Sequence, residues 1–191
     1  AIQILPIHDT MMSGDWKDSC PYNSNTTYAF HPLYCDINAL PKLNDKLAME
    51  RFMMRQQELN ALPQYDYEKV IALKMEYLRL AFAQEGELVL ESEGFKAFFE
   101  DNKDWLVPYA VFSYLRDRYQ TAEFQKWPQC SKYNRREIEK LAAPEGKDYA
   151  LIALYYYIQY QLHLQLLDVR NTARQAGVII KGDIPIGISR T

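Results

Sequence analysis

Two short apolar runs, residues 2–7 and 178–180, stand at opposite ends of the chain, and both read as strands buried in a parallel sheet. Two such strands cannot cover both faces of a sheet, and nothing between them reads as a convincing third. The intervening residues must supply the cover, so the chain is expected to be mostly α. It reads as a helical segment inserted between successive strands of a larger α/β barrel.

The stretch between the runs is consistent with that. Residues 43–62 have helical composition and stop at Pro63. Tyr67, Val70, Leu73, Tyr77 and Leu80 make one apolar face, and Ile71, Met75, Leu78 and Phe82 a second, which predicts a helix buried on two sides. Ser92 can cap a helix carrying Phe95, Phe98 and Phe99. Asp104 can cap another that holds Pro108 in its first turn and continues through Tyr109, Phe112, Leu115 and Tyr119. Asn134 with Glu137 opens a short helix of Ile138 and Leu141. Residues 148–176 form the longest helix, roughly 43 Å at ~1.5 Å per residue, ending at Gly177, with Tyr155, Tyr156, Tyr157 and Tyr160 as a packing stripe.

Composition excludes several classes of function. Of 191 residues, 22 are Lys or Arg and 25 Asp or Glu, interspersed, for a formal charge of -3, so no cationic stripe is available to nucleic acid or to an anionic membrane. No apolar run reaches the ~20 residues of a membrane span. Cys20, Cys35 and Cys130 are odd in number and scattered, which fits free thiols and a cytoplasmic setting. His8, His31 and His163 have no metal-ligand spacing, so neither metal nor cofactor is expected. Ser13, Ser92 and Ser189 lack the G-x-S-x-G turn of a hydrolase nucleophile.

The long aperiodic loop of residues 8–32 is the first candidate surface, since loops of this length are more often functional than idle. Trp16, Tyr22, Tyr28 and Phe30 lie there among Asp15, Asp18, Ser19 and Asn23. Flat rings beside hydroxyl and carboxyl groups suit a sugar; anchoring of the loop to the core would use the same rings. Asp9 and Asp183 follow the two strands, where barrels hold their active sites. They are candidates either for the paired carboxylates of glycoside chemistry or for fixing loop backbone.

Three linked motifs carry a resemblance. Residues Gln3-Ile4-Leu5-Pro6-Ile7, then Asp18-Ser19-Cys20-Pro21-Tyr22-Asn23-Ser24, then Ala29-Phe30-His31-Pro32 resemble the signature of the 4-α-glucanotransferases (amylomaltases, glycoside hydrolase family 77). Phe95, Phe99, Asn102, Trp105, Leu106, Tyr109, Ala110 and Phe112 are similar to that family's helical pattern, Trp127 to the tryptophan after it, and Tyr157, Gln159 and Gln165 to its long helix. Lys181-Gly182-Asp183-Ile184-Pro185-Ile186-Gly187 resembles its Gly-Asp-x-Pro-Ile strand. Cys20, His8 and Thr27-Tyr28 depart from the pattern, which bears on sugar preference more than on fold.

The resemblance implies a partial (β/α)8 TIM-barrel segment. Residues 1–36 would be barrel strand and substrate loop, 37–147 a helical insertion, and 148–191 the long helix and next strand. It implies transfer of α-1,4-glucan units from maltose or malto-oligosaccharides to an acceptor sugar by retaining chemistry, with α-1,4-glucans as partners and Ser19, Pro21, Tyr22 and Asp183 as substrate contacts. The family's nucleophile and acid motifs lie beyond its Gly-Asp-x-Pro-Ile strand, so this chain is expected to contain no catalytic residue. A partial barrel is also expected to self-associate through its strand edges. The other reading is a stand-alone helical binding module without activity.

Overall fold

The computed structural model describes residues 1–188; Ser189 lies outside them. Helices α1 (Lys46–Asn60), α2 (Tyr67–Glu91), α3 (Glu93–Tyr119), α4 (Arg135–Leu141) and α5 (Tyr149–Gln175) account for most of the described residues. Among the described residues, strand pairing is confined to two short ladders and one isolated antiparallel bridge between His8 and Phe30. β1 (Ile2–Gln3) runs parallel to β3 (Ile180–Lys181), and β2 (Asn23–Ser24) runs parallel to β4 (Gly187–Ile188). The first ladder joins the two runs singled out from sequence. The second was not foreseen: Asn23 and Ser24 sit inside a polar loop and show no strand pattern.

The helices begin where side chains can accept their free N–H groups. Asp45 accepts from Leu47 and Ala48, Asp66 from Lys69, and Asn134 from Arg136 and Glu137. Ser92 ends α2 and starts α3: its N–H and hydroxyl donate to the Val89 carbonyl at 3.1 and 2.7 Å, and its Oγ accepts from Phe95 N–H at 3.2 Å. Both predicted faces of α2 are used, although Leu80 stays 40% exposed. Gly177 adopts the left-handed conformation expected after α5, with φ +67°.

One boundary is corrected. Asp104 does not cap a new helix; residues 93–119 form a single helix with Pro108 in its interior. A proline there leaves the Asp104 carbonyl without its intrahelical donor, a loss of the kind that costs about 3 kcal/mol in an isolated helix. Burial explains why the helix persists. Leu106, Tyr109, Ala110, Val111 and Tyr114 on either side of Pro108 are all in the core, each large side chain contributing roughly 2 kcal/mol.

α5 shows the same balance. Asp148 gives it no side-chain cap, a loss of about 1 kcal/mol, yet residues 152–160 are buried throughout. The tyrosine stripe is packing, as its spacing suggested: Tyr155, Tyr156, Tyr157 and Tyr160 are at most 9% exposed, with Tyr160 against Phe95 and Phe98 and Tyr156 against Phe99. α5 therefore packs along α2 and α3 and carries the 8–32 loop on its remaining side.

Candidate functional site

The loop is organised by two buried carboxylates. Asp18, 2% exposed, accepts from three consecutive backbone N–H groups: Met12 and Ser13 at 3.0 Å and Gly14 at 2.8 Å. Such a row of N–H groups forms an anion-binding concavity, here filled by the protein's own side chain. Gly14 makes the required turn at φ +73°. The Thr10 hydroxyl closes the turn by donating to the Asp18 carbonyl.

Asp9 is fully buried and accepts from Met11 N–H at 3.0 Å, Tyr109 hydroxyl at 2.8 Å and Asn25 amide at 3.4 Å. It thus takes the role of fixing loop backbone. Its own backbone pairs with the returning chain, Asp9 N–H to Ala29 O and Asn25 N–H to Asp9 O, both at 2.9 Å.

The helices grip the rest of the loop through the residues that carry the family resemblance. The Gln159 amide accepts from Phe30 N–H and donates to Phe30 O, both at 2.8 Å, as a neighbouring strand would. Gln165 does the same to Asp36, at 2.8 and 3.0 Å. Trp105, held by Asn102 at 2.9 Å, stacks on Tyr28 with ring centroids 5.9 Å apart. Phe30 packs against the core. Of the loop aromatics, Phe30 therefore anchors it, while Tyr28, although stacked on Trp105, and Trp16 remain 62% and 67% exposed.

His31, 3% exposed, completes the base of the loop. Its Nδ1 accepts from Leu33 N–H at 3.0 Å, which leaves the ring proton on Nε2, 2.8 Å from the Tyr67 hydroxyl. Burial pushes its pKa below the ordinary histidine value, opposed in part by Asp9 and Asp18.

Tyr22 and Asp183, 161 residues apart, come together. The Tyr22 hydroxyl donates to Asp183 Oδ2 at 3.0 Å, and Asp183 Oδ1 accepts from Ile184 N–H at 2.9 Å. Sharing its proton with the carboxylate raises the Tyr22 phenol above its ordinary value, and partial desolvation adds to this. Gly187 N–H donates to Tyr22 O at 3.0 Å; a Cβ at Gly187 would lie 2.4 Å from that oxygen, so only glycine allows this approach. Pro21 is half-buried beside Tyr22. Ser19 is exposed at the end of the turn Trp16–Ser19 and lines a separate open cleft of about 550 Å³ together with Trp16, Tyr65 and Lys69. Among the described residues, no group of three or more His, Cys, Asp or Glu side chains is placed to hold a metal ion.

Sequence reasoning missed Arg116, 5% exposed, which meets Asp9, Met11 and Asp117 beneath the loop. The signal was available: it stands seven residues after Tyr109, a charge on a face otherwise apolar.

The sequence matches the 4-alpha-glucanotransferase family over residues 1–191. It is 36% identical to a 4-alpha-glucanotransferase of Oryza sativa subsp. japonica, aligned over 99% of this chain and 20% of that protein. It is 34% identical to the 4-alpha-glucanotransferase of Chlamydia caviae, over 99% of this chain and 34% of that one. The fold matches an amylomaltase of Streptococcus agalactiae solved in complex with acarbose, with a TM-score of 0.70 at 21% identity, covering 98% of this chain and 36% of the other. The chain thus spans between a fifth and about a third of the length of these relatives, and it belongs to the 4-alpha-glucanotransferase family.

Proposed function

We propose that these residues form the substrate-loop side of a 4-α-glucanotransferase that moves α-1,4-glucan segments or glucosyl units from maltose or malto-oligosaccharides to an acceptor sugar. The observation that carries this is the 3.0 Å bond from Tyr22 to Asp183, which joins the substrate loop to the Gly-Asp-x-Pro-Ile segment in a chain matching the family throughout. In this reading the Tyr22 ring, braced by Asp183, offers a flat face to a glucose unit, with Pro21 beside it and Ser19 contacting the glucan from the neighbouring cleft. The acarbose complex of the related Streptococcus amylomaltase is in keeping with an α-glucan ligand.

Retaining transfer needs a carboxylate nucleophile and a carboxylic acid about 5 Å apart. Asp9 is buried under its donors and Asp183 is bonded to Tyr22 and Ile184, so neither serves as nucleophile or acid in this reading. Both catalytic groups then come from outside these 191 residues. Residues 1–36 supply strand and substrate loop, 37–147 a helical insertion, and 148–191 the helix and strand that return to a (β/α)8 barrel.

The test is chromatography of maltotriose products formed by this chain and by its reading frame extended through further barrel strands. Redistribution into shorter and longer oligosaccharides by the extended protein, with none by the 191-residue chain, is the expected outcome. Silence of the extended protein, together with tight binding of the short chain to a protein partner, would instead establish the stand-alone binding module.

A further inference from the structure

Arg116 is buried with its guanidinium spread over two sets of partners. Towards the loop, Nη1 donates to Met11 O at 2.8 Å and stands 4.0 Å from Asp9 Oδ2. Towards the helices, Nε and Nη2 donate to Asp117 Oδ1 at 3.0 and 2.8 Å, and Nη2 reaches the Tyr155 hydroxyl at 3.4 Å. The Tyr155 hydroxyl in turn donates to Asp117 Oδ2. Taking a guanidinium out of water costs several kcal/mol, and a packed apolar side chain of similar volume is often no less stabilising. What the charge adds here is orientation.

The oriented groups are the loop's own anchor points. Arg116 fixes the Met11 carbonyl and faces Asp9, whose carboxylate holds Met11 N–H, Tyr109 and the Asn25 amide. Asp9 O also accepts from Asn25 N–H at 2.9 Å. Asn25 directly follows β2, and Tyr22 directly precedes it. The contacts therefore run without a gap from α3 through Asp9 and Asn25 to the two-residue ladder that seats Tyr22 against Asp183 and Gly187.

We propose that the buried Arg116–Asp9 pair is a positioning device for Tyr22: it sets the height of the loop and so the place of the phenol against Asp183. Its relevance to glucan binding rests on the reading of Tyr22 as a sugar contact. A merely charge-balancing arginine makes a different prediction, because lysine would also neutralise Asp9 and Asp117. Only the planar fork can serve the Met11 carbonyl and the Asp117 carboxylate together.

The test follows Tyr22 itself, by NMR titration of tyrosine ring carbons in the 191-residue chain. Tyr22→Phe assigns the resonance, and Asp183→Asn marks the titration of a phenol that has lost its partner. In Arg116→Lys the Tyr22 titration is expected to move from the wild-type curve towards that of Asp183→Asn, with unchanged far-ultraviolet circular dichroism. A folded Arg116→Lys protein whose Tyr22 titrates as in wild type overturns the proposal. Should Arg116→Lys fail to fold, Tyr109→Phe decides: it removes one donor from Asp9 without stranding a charge. It is expected to shift Tyr22 the same way by a smaller amount, and an unshifted curve overturns the proposal equally. Because the readout is the titration of Tyr22 and not glucan transfer, absence of transfer would count against the functional reading alone.

Discussion

His31 shows how much of the loop rests on single buried groups. Burial holds its imidazole below the ordinary value of about 6.5. The native chain therefore binds fewer protons than the unfolded chain as pH falls through that value, so stability is fully present above about pH 6.5 and declines below it. Urea unfolding at pH 7.5 and 5.5 should show this loss in the wild type. His31→Asn keeps an acceptor for Leu33 N–H but does not titrate, so its midpoint should fall less. Some slope should remain, since burial also lowers His8 and His163. Equal slopes in the two proteins would remove His31 from the account. Sequence showed His31 only as part of a motif; that its ring is sealed against Tyr67 depends on a contact 36 residues away, which no local pattern encodes.

At the scale of elements, α5 acts on the loop as an edge strand would. Gln159 and Gln165 stand six residues apart, and each amide meets one loop residue through both its N–H and its C=O. Gln159→Ala leaves both backbone groups of the half-buried Phe30 without their partner and should cost about 2–6 kcal/mol in a denaturant titration, at about 1–3 kcal/mol for each unmade bond. A loss under about 0.5 kcal/mol would mean that water replaces the amide without penalty. Helix positions were legible because apolar spacing and capping residues act within a turn or two. α1, α4 and α5 start and stop within a few residues of expectation, and α2 starts at Tyr67, the first residue of its predicted faces, but runs on to Glu91, past the last of them. The break expected at Asp104 was wrong because proline's local cost was outweighed by the burial of Leu106 and Tyr109 on other elements. β2 and β4 were illegible for the complementary reason: a two-residue ladder holds no period, and its partners are separated by more than 160 residues.

For the whole molecule, the two ladders leave apolar side chains in water. Ile2, Leu5, Ile179, Ile184 and Ile186 are between 56% and 86% exposed, and each ladder among the described residues has only two strands. Apolar edges of this kind favour association. Sedimentation of the 191-residue chain should give an average mass that rises with concentration and falls on Ile186→Lys; a monomer at all concentrations would contradict this. The candidate site was legible in part. Tyr22 and Asp183 were named from motifs, and the fold joins them, whereas Arg116 emerges only when α3 is laid under the loop. The most direct test of the account is an amide NMR titration of this chain with maltoheptaose. Weak, saturable shifts confined to the loop around Ser19–Asn23 and to residues 183–187 are expected, weakened in Tyr22→Phe, which loses the brace to Asp183, and lost in Tyr22→Ala, which loses the ring. Shifts centred elsewhere, or none at millimolar sugar, would contradict it.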